Sequence, residues 1–571
     1  MSLFSSLNLA RQSLGAHQTA IQTVGQNIAN ANTEGYARQR AVLRPTAPDD
    51  RIFAFVGTGV EVTRIERIVD EHLETTLRGA NSDLGNLTER NRVFSMVETI
   101  LSDLDGGGLS DAMARFFDSV EDLANEPQDP SVRGLVVEEA RTLTETFHYL
   151  DAQIRNLRGS LNTDIETVYA DVNRISQEIA DLNRNIGTAE AGGVAPGSAN
   201  DLRTQRDALL TELSELVDVK VIEQTNGMVQ VVTGSDVLVV GSRARTLEVE
   251  WQSDGDISFH TARFEDDGML LRPNGGRLQA LLNGRDGLMV QLRQDLDQVA
   301  QQFLTEFNAI HAGGEGTSLY TELAATNAVT GADLRLSEAG LPFPIEDGQF
   351  TFQVRNEGDG TRESYVIALD LDGTDDDTTL QDLADMINTQ VGVDHPEISA
   401  RVTVDGHLEI QSSDDSLKFT FRDDNTGALT ALGLGTLFTG TSALNIDVRS
   451  QLMDNPTLLA SGRGAGSGDN TAVLDMLGFR DKGLLGPDEK TVEEFYVSIV
   501  AQVGVRGAEA RDLLLNQEAI TTNLQNQRES VSGVNVDEEA IELIQLQRAY
   551  QGSARFLTIV DRLLETLLNS V

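Results

Sequence analysis

Acidic side chains are the most abundant reactive groups in this sequence, and Asp370-Leu-Asp-Gly-Thr-Asp-Asp-Asp377 gathers five of them in eight positions. A helix–loop–helix calcium site needs glycine at its sixth position and a bidentate glutamate at its twelfth. Here Gly373 stands fourth from Asp370 and no glutamate closes the loop, so the run reads as a solvated turn. The histidines (His17, His72, His148, His260, His311, His395, His407) are scattered, with no His-Glu-x-x-His arrangement to hold zinc. The sequence has no phosphate-cradling Gly-x-x-x-x-Gly-Lys, no Gly-x-Ser-x-Gly elbow and no dinucleotide fingerprint between a strand and a helix. With 90 acids, chance carboxylate pairs are inevitable, so composition leaves a secreted cell-wall hydrolase open without singling out a pair. The expectation is a chain that is not an enzyme, with no catalytic residue, metal ligand or cofactor.

The charge balance narrows the partners. The 571 residues carry 44 Lys plus Arg against 90 Asp plus Glu, a formal charge of −46 that repels a phosphate backbone or an anionic membrane. Neither nucleic acid nor membrane insertion is expected, and no run approaches 18 apolar residues. The chain has no cysteine, which removes disulfides and thiolate chemistry together. Ser2 to Gln26 interleaves Ser, Asn, Gln and Thr with its apolar residues, so no cleaved secretory signal is expected. The chain is then either cytoplasmic or exported by a machine that reads something else.

The elements that organise this chain announce themselves at its ends. Leu3, Leu7, Ala10, Leu14, His17, Ile21, Val24 and Ile28 alternate spacings of four and three, the seam of a heptad helix. Leu543, Leu546, Tyr550, Ser553, Leu557, Val560, Leu564, Leu567 and Val571 do the same at the other end. Residues 1–48 carry a net +3 and residues 541–571 a net 0, which leaves −49 for the middle. A single helix cannot bury such a stripe, so each needs a partner. Two partners are open: the other terminus, as an antiparallel hairpin within one chain, or the ends of further copies. In the second case the ends of a lone chain are expected to be mobile.

Between the ends the pattern predicts a mainly α fold with inserted β-rich domains. Leu73, Leu77, Ala80, Leu84, Leu87, Phe94 and Leu101 keep one register until Asp105-Gly-Gly-Gly108. Asp129-Pro130 starts a very long helix, with Ala140, Leu143, Phe147, Leu150, Ile154, Leu157 and Leu161 continuing through Ile165, Val168, Val172, Ile175, Ile179, Leu182 and Ile186. Ala191-Gly-Gly-Val-Ala-Pro-Gly197 ends it, and Leu202 to Val217 is a shorter helix. Period-two alternation then predicts a small β insert at about 219–264, opened by a hairpin with a two-residue Asn226-Gly227 turn. A helix over 277–311, an α+β insert and a Gly/Ser-rich linker at 461–468 precede the last helices, which break near Ser532-Gly533. The expected division is a terminal coiled coil (1–35 and 541–571), a long-helix bundle (36–320 and 450–540) and an outer β-rich domain (321–449).

Asn27-Ile-Ala-Asn-Ala-Asn-Thr-Glu-Gly-Tyr-Ala-Arg-Gln39 resembles the terminal motif of the bacterial flagellar rod, hook and hook-associated proteins. Ser532-Gly-Val-Asn-Val-Asp-Glu-Glu-Ala540 and Gln547-Arg-Ala-Tyr-Gln-Gly-Ser-Ala-Arg555 are similar to the hook–filament junction members. Glu34 departs from the family's usual proline, which bears on the shape of that turn. The resemblance implies a structural adaptor joining hook to filament, or failing that another axial subunit such as the second junction protein, a hook subunit or a distal rod subunit. It implies terminal helices packed as the innermost layer of a ring or tube. It also implies export through the flagellar type III channel to an extracellular position, and as partners other copies of the chain, the hook protein and the second hook-associated junction protein. The bare C-terminal stripe further predicts an export chaperone that covers it. The assembly residues expected are Leu3, Leu7, Leu14, Ile21, Val24 and Ile28 on the first helix, and Leu543, Leu546, Tyr550, Leu557, Val560, Leu564 and Leu567 on the last. Asn27, Asn30, Gly35 and Tyr36 are expected at the turn leaving the first helix.

Overall fold

The computed structural model describes residues 3–33, 35–46, 49–51, 54–56, 58–102, 107–191, 199–254, 257–373, 377–466 and 468–569. Glu34, the break at Asp105, the break at 192–197, the middle of the acidic run at 374–376 and Val571 lie outside them. Five helices open the fold: α1 (Leu3–Ala29), α2 (Glu71–Leu101), α3 (Leu109–Asn125), α4 (Pro130–Ala189) and α5 (Asn200–Leu216). A penultimate helix (Val492–Ser532) and a C-terminal helix (Val536–Leu568) close it, and small antiparallel sheets fill the intervals, so the fold is mainly α with inserted β-rich parts. Asp129 caps α4 as its sequence predicts, accepting the Ser131 N–H at 2.7 Å, and that backbone bond holds its carboxyl below the usual range. No described helix is long and apolar enough to cross a membrane.

The chain forms two compact units. The first comprises Met1–Val93, Gly159–Arg285 and Gly507–Val571. On its part of α4, Ile165, Val168, Val172, Ile175, Ile179 and Ile186 are buried as their spacing predicts. Leu182 is not the next member of this stripe; the neighbouring Asn183 is fully buried instead. Its amide donates to Val229 O at 2.8 Å and Gly241 O at 2.7 Å, and its oxygen accepts from Val229 N and Arg206 Nη1 at 3.1 Å. This one side chain fastens to α4 the four-stranded meander of Lys220–Glu223, Val229–Thr233, Asp236–Val240 and Arg243–Ala244. The hairpin at Asn226-Gly227 forms, but with a longer loop than expected: Gly227 N donates to Gln224 O, and Gly227 sits at φ +79°. That is a turn followed by a left-handed bulge residue, not a two-residue turn.

The second unit comprises Phe94–Arg158 and Asp286–Arg506. Its core is aromatic, with Phe116 and Phe117 of α3 and Phe147 of α4 around Phe303, Phe307, Phe438 and Phe479. A π-helical turn at Phe303–Phe307 allows both of its end rings into this core. The α+β insert packs a three-stranded sheet (Arg362–Leu369, Gly348–Asn356, Leu417–Arg422) and a second one (Glu322–Ala324, Leu408–Ser412, Ile398–Val402) with the helix Leu380–Gln390. Thr379 and Asp382 cap that helix reciprocally. The Gly/Ser-rich linker is tied down at several points. Asp469 Oδ2 accepts the Arg463 and Ala465 N–H groups at 2.7 and 2.8 Å, and Glu315 bridges Gly462 as in a sheet. Gly462 serves close approach to Asp469, while Gly464 takes the left-handed φ of +89°.

Candidate assembly site

The first unit brings the two termini together. The C-terminal helix starts beside the end of α1 and packs along it, so the pair is antiparallel, and α1 also lies against the strand pair Gln39–Pro45 and Val60–Arg67. The hairpin alternative left open by the heptads is therefore realised within one chain. Of the expected seam residues, Val24 and Val560 are buried, while Leu3, Leu7, Leu14, Ile21, Ile28, Leu543, Leu546, Leu557 and Leu564 are half-buried. Two depart from expectation: Tyr550 and Leu567 remain exposed, at 37 % and 52 %. The most buried line on α1 is Ala10, Ala16, Ala20 and Val24, because a helix flanked on two sides needs small residues where it is most enclosed.

The turn after α1 is a polar knot. Asn27, 1 % exposed, donates its amide to Gln39 O at 2.8 Å and Glu539 Oε2 at 2.9 Å. Its oxygen accepts the Tyr36 hydroxyl and the Gln39 N–H, both at 3.0 Å. Both donors and both acceptor positions of this buried amide are thus filled, by Tyr36, Gln39 and Glu539. Burial, then the charges of Asp201 and Glu539, push the Tyr36 phenol up to about 12, so it stays a donor. Arg38 pairs with Glu539 at 2.6 Å and reaches Glu538 and Glu542, and its N–H donates to Ser532 O at 2.8 Å. Asn30 closes the helix by donating to Gln26 O at 3.0 Å, and Gly35 makes the left-handed bend at φ +75° that an L side chain resists. Arg528 ties the bend down, donating to Gly35 O at 3.0 Å and pairing with Glu74 at 2.7 Å. Arg38, Gln39, Arg528 and Glu539 were not among the expected residues. The signal for Arg38 and Glu539 was charge, an arginine in an acid-poor first segment facing Glu538-Glu539 in the last; Gln39 and Arg528 had none.

A second stripe also went unanticipated. Ile541, Ile544, Phe556, Ile559 and Leu563 share one face of the C-terminal helix and are 40–59 % exposed. At 100° per residue that face lies about a third of a turn from the seam that meets α1. The C-terminal helix therefore carries two apolar faces, one used within the chain.

The other candidates are structural. Carboxylate oxygens of Asp370, Asp372 and Asp377 come within 4.8 Å of one another. Asp377 is buried and pairs with Arg335 at 3.0 Å while accepting the Gly373 N–H at 2.9 Å, which is turn chemistry. His311 is fully buried; its Nδ1 faces Gly435 O at 2.7 Å and its Nε2 accepts from Ala460 N at 3.2 Å. Both ring nitrogens are used, and burial lowers its pKa to about 4.

Comparison with known proteins places this arrangement. The profile of the flagellar hook-associated protein FlgK helical domain matches residues 94–321, and that of the flagellar basal body rod FlgEFG protein C-terminal region matches residues 525–570. Flagellar hook-associated protein 1 of Salmonella typhimurium is 29 % identical over 99 % of both chains. That of Escherichia coli is 28 % identical over 99 % of both, and that of Bacillus subtilis 25 % identical over 100 % of this chain and 99 % of its own. The solved structure of the flagellar hook junction protein FlgK from Burkholderia pseudomallei shares the fold at a TM-score of 0.51 and 17 % identity, covering 80 % of this chain and 100 % of that one.

Proposed function

The chain belongs to the flagellar hook-associated protein 1 family, and from that premise we propose that it is a structural adaptor joining hook to filament, assembled through its paired terminal helices. It is a part of the bacterial flagellum that is exported to its place, and its partners are other axial proteins. In this reading copies of the chain form a ring, with the hook protein on one side and the second hook-associated junction protein on the other. The observation that carries the assembly step is the open stripe of Ile541, Ile544, Phe556, Ile559 and Leu563 beside the seam that packs on α1. Exposed apolar residues grouped on one helix face, here Ile541 and Ile544 and then Phe556, Ile559 and Leu563, mark an interaction site. The seam residues join the chain's own ends, and the open stripe meets the next copy. Before assembly that stripe is covered by an export chaperone, and the chain reaches the cell exterior without a cleaved signal. The terminal pair is the polymerising part, the long helices the next and residues 321–449 the outermost.

The role is structural, not catalytic. Complementing a deletion strain with Ile559→Ser/Leu563→Ser tests it: filaments detach and swimming stops while the purified variant keeps its helicity. Normal filaments would overturn the assembly reading, and clearing of peptidoglycan by the purified chain would overturn the structural one. Loss of residues 541–571 should abolish chaperone pull-down; unchanged capture would remove the chaperone from the scheme.

A further inference from the structure

In the first unit, the start of α2 and α5 border a cavity of about 310 Å3 whose lining includes Arg64, Arg67, Arg78, Arg203 and Arg206. The same lining holds as many acids, Glu66, Glu71, Glu74, Asp207 and Glu223, so what matters is which arginines they leave without a partner. Three of the five already have carboxylates. Arg64 pairs with Glu66 at 2.9 Å, Arg67 with Asp207 at 2.7 Å, and Arg203 with Glu223 at 2.6 Å and Glu190 at 3.1 Å. The other two do not. Arg206 is 1 % exposed; its Nη1 donates to Asn183 Oδ1 and Gly227 O, and its Nε is buried without an acceptor. Arg78 donates Nη2 to Thr75 Oγ1 at 3.2 Å, and its Nε is likewise buried and without an acceptor.

The acids nearby do not fill this gap. Glu74 bonds Arg528 at 2.7 Å and Asp207 holds Arg67, while Glu71 is exposed at the start of α2. Burial depresses the pKa of both guanidiniums, and the charges of Asp207, Glu74 and Glu71 only partly offset it at Arg78. A desolvated cation is costly until it is paired, and guanidinium is the group best shaped to pair with carboxylate or phosphate. We propose that this cavity is an oxyanion site, in which Arg78 and Arg206 bind one phosphate or carboxylate group through the N–H groups left without acceptors. The two anions share this chemistry and differ in source: phosphate arrives free, a carboxylate arrives on an acidic segment of another protein chain.

Calorimetric titration of the full chain with inorganic phosphate, at constant ionic strength and with chloride as control, tests the site. One phosphate is expected to bind per chain, with Arg78→Gln weakening it about tenfold or more. Arg206→Gln should do the same; because Arg206 is wholly buried, circular dichroism first establishes that this variant folds, and Arg78→Gln carries the test if it does not. A glutamate-rich peptide in competition separates the sources. Displacement of phosphate by the peptide assigns the site to a carboxylate, and displacement by sulfate alone assigns it to a free tetrahedral anion. No heat beyond that of chloride, or unchanged affinity in Arg78→Gln, overturns the proposal.

Discussion

Asn27 Nδ2 donates to Glu539 Oε2 at 2.9 Å across 512 positions of the chain. One buried amide thus joins the end of the first helix to the start of the last, and the same amide orders Tyr36 and Gln39 between them. The two helices are separate in sequence, and this contact, the Arg38–Glu539 pair and the packing of the C-terminal helix along α1 together fix the register in which they meet.

Asn27→Ala leaves the Tyr36 hydroxyl, the Gln39 N–H and one oxygen of Glu539 without their partner. A buried polar group stripped of its bond costs about 1–3 kcal/mol, so the substitution is expected to destabilise the first unit by about 3 kcal/mol in urea unfolding. Tyr36→Phe removes one donor while Gln39 N still satisfies the Asn27 oxygen, and about 1 kcal/mol is expected. Equal costs for the two would show that Asn27 is not the centre of the knot.

Gly35 is the bend itself. No atom lies within 4 Å of an added Cβ there, so Gly35→Ala isolates the backbone cost of φ +75°. About 1–2 kcal/mol is expected, read as a lower urea midpoint with unchanged slope. Gly25, which has equal space but sits within α1, provides the control: Gly25→Ala is expected to stabilise by about 0.5–1 kcal/mol.

The apolar repeats were legible because burial along a helix leaves a periodic trace. The run from Ile165 to Ile186 shows it, with one lapse: Asn183 takes the buried place beside Leu182, since it must bond Val229 and Gly241 on a meander that no helical period encodes. The resemblance was legible in Asn27 to Gln39, whereas the reason for its residues was not. Asn27 matters through Glu539, and a contact spanning most of the chain has no local signature. The second stripe was obscured by the first. Ile541, Ile544, Phe556, Ile559 and Leu563 sit beside a stronger heptad, and a helix apolar on two faces shows one clear period only to a reader who fits one. The arginine cavity was illegible for the opposite reason, since its residues come from three separated segments.

The two faces of the C-terminal helix are expected to respond differently. Val560 is 3 % exposed, and Val560→Ala is expected to cost about 1–2 kcal/mol of monomer stability. Ile559, one position away and 57 % exposed, is expected to change monomer stability by no more than about 0.5 kcal/mol as Ile559→Ser. Assembly should show the reverse ranking, with Ile559→Ser the more damaging in sedimentation of concentrated chain. A similar loss of monomer stability in both variants would place Ile559 inside the fold.

His311 gives the second unit a pH dependence of definite sign. Its folded pKa is lowered to about 4, chiefly by burial and further by Arg449 and Arg133, with the Gly435 carbonyl opposing. In the unfolded chain the ring takes up its proton near 6.5. Above that pH both states are neutral and the His311 contribution is complete. As pH falls from 6.5 toward 4 the unfolded state binds a proton that the folded state refuses, so stability declines, by about 3 kcal/mol over the window. Urea unfolding monitored through the second unit between pH 7 and 4, compared with His311→Asn, isolates this ring from the carboxylates that titrate below it. The wild-type curve is expected to fall more steeply than the variant's across the window. Parallel curves would mean that the ring protonates in place, breaking the bond from Ala460 N to Nε2 without unfolding.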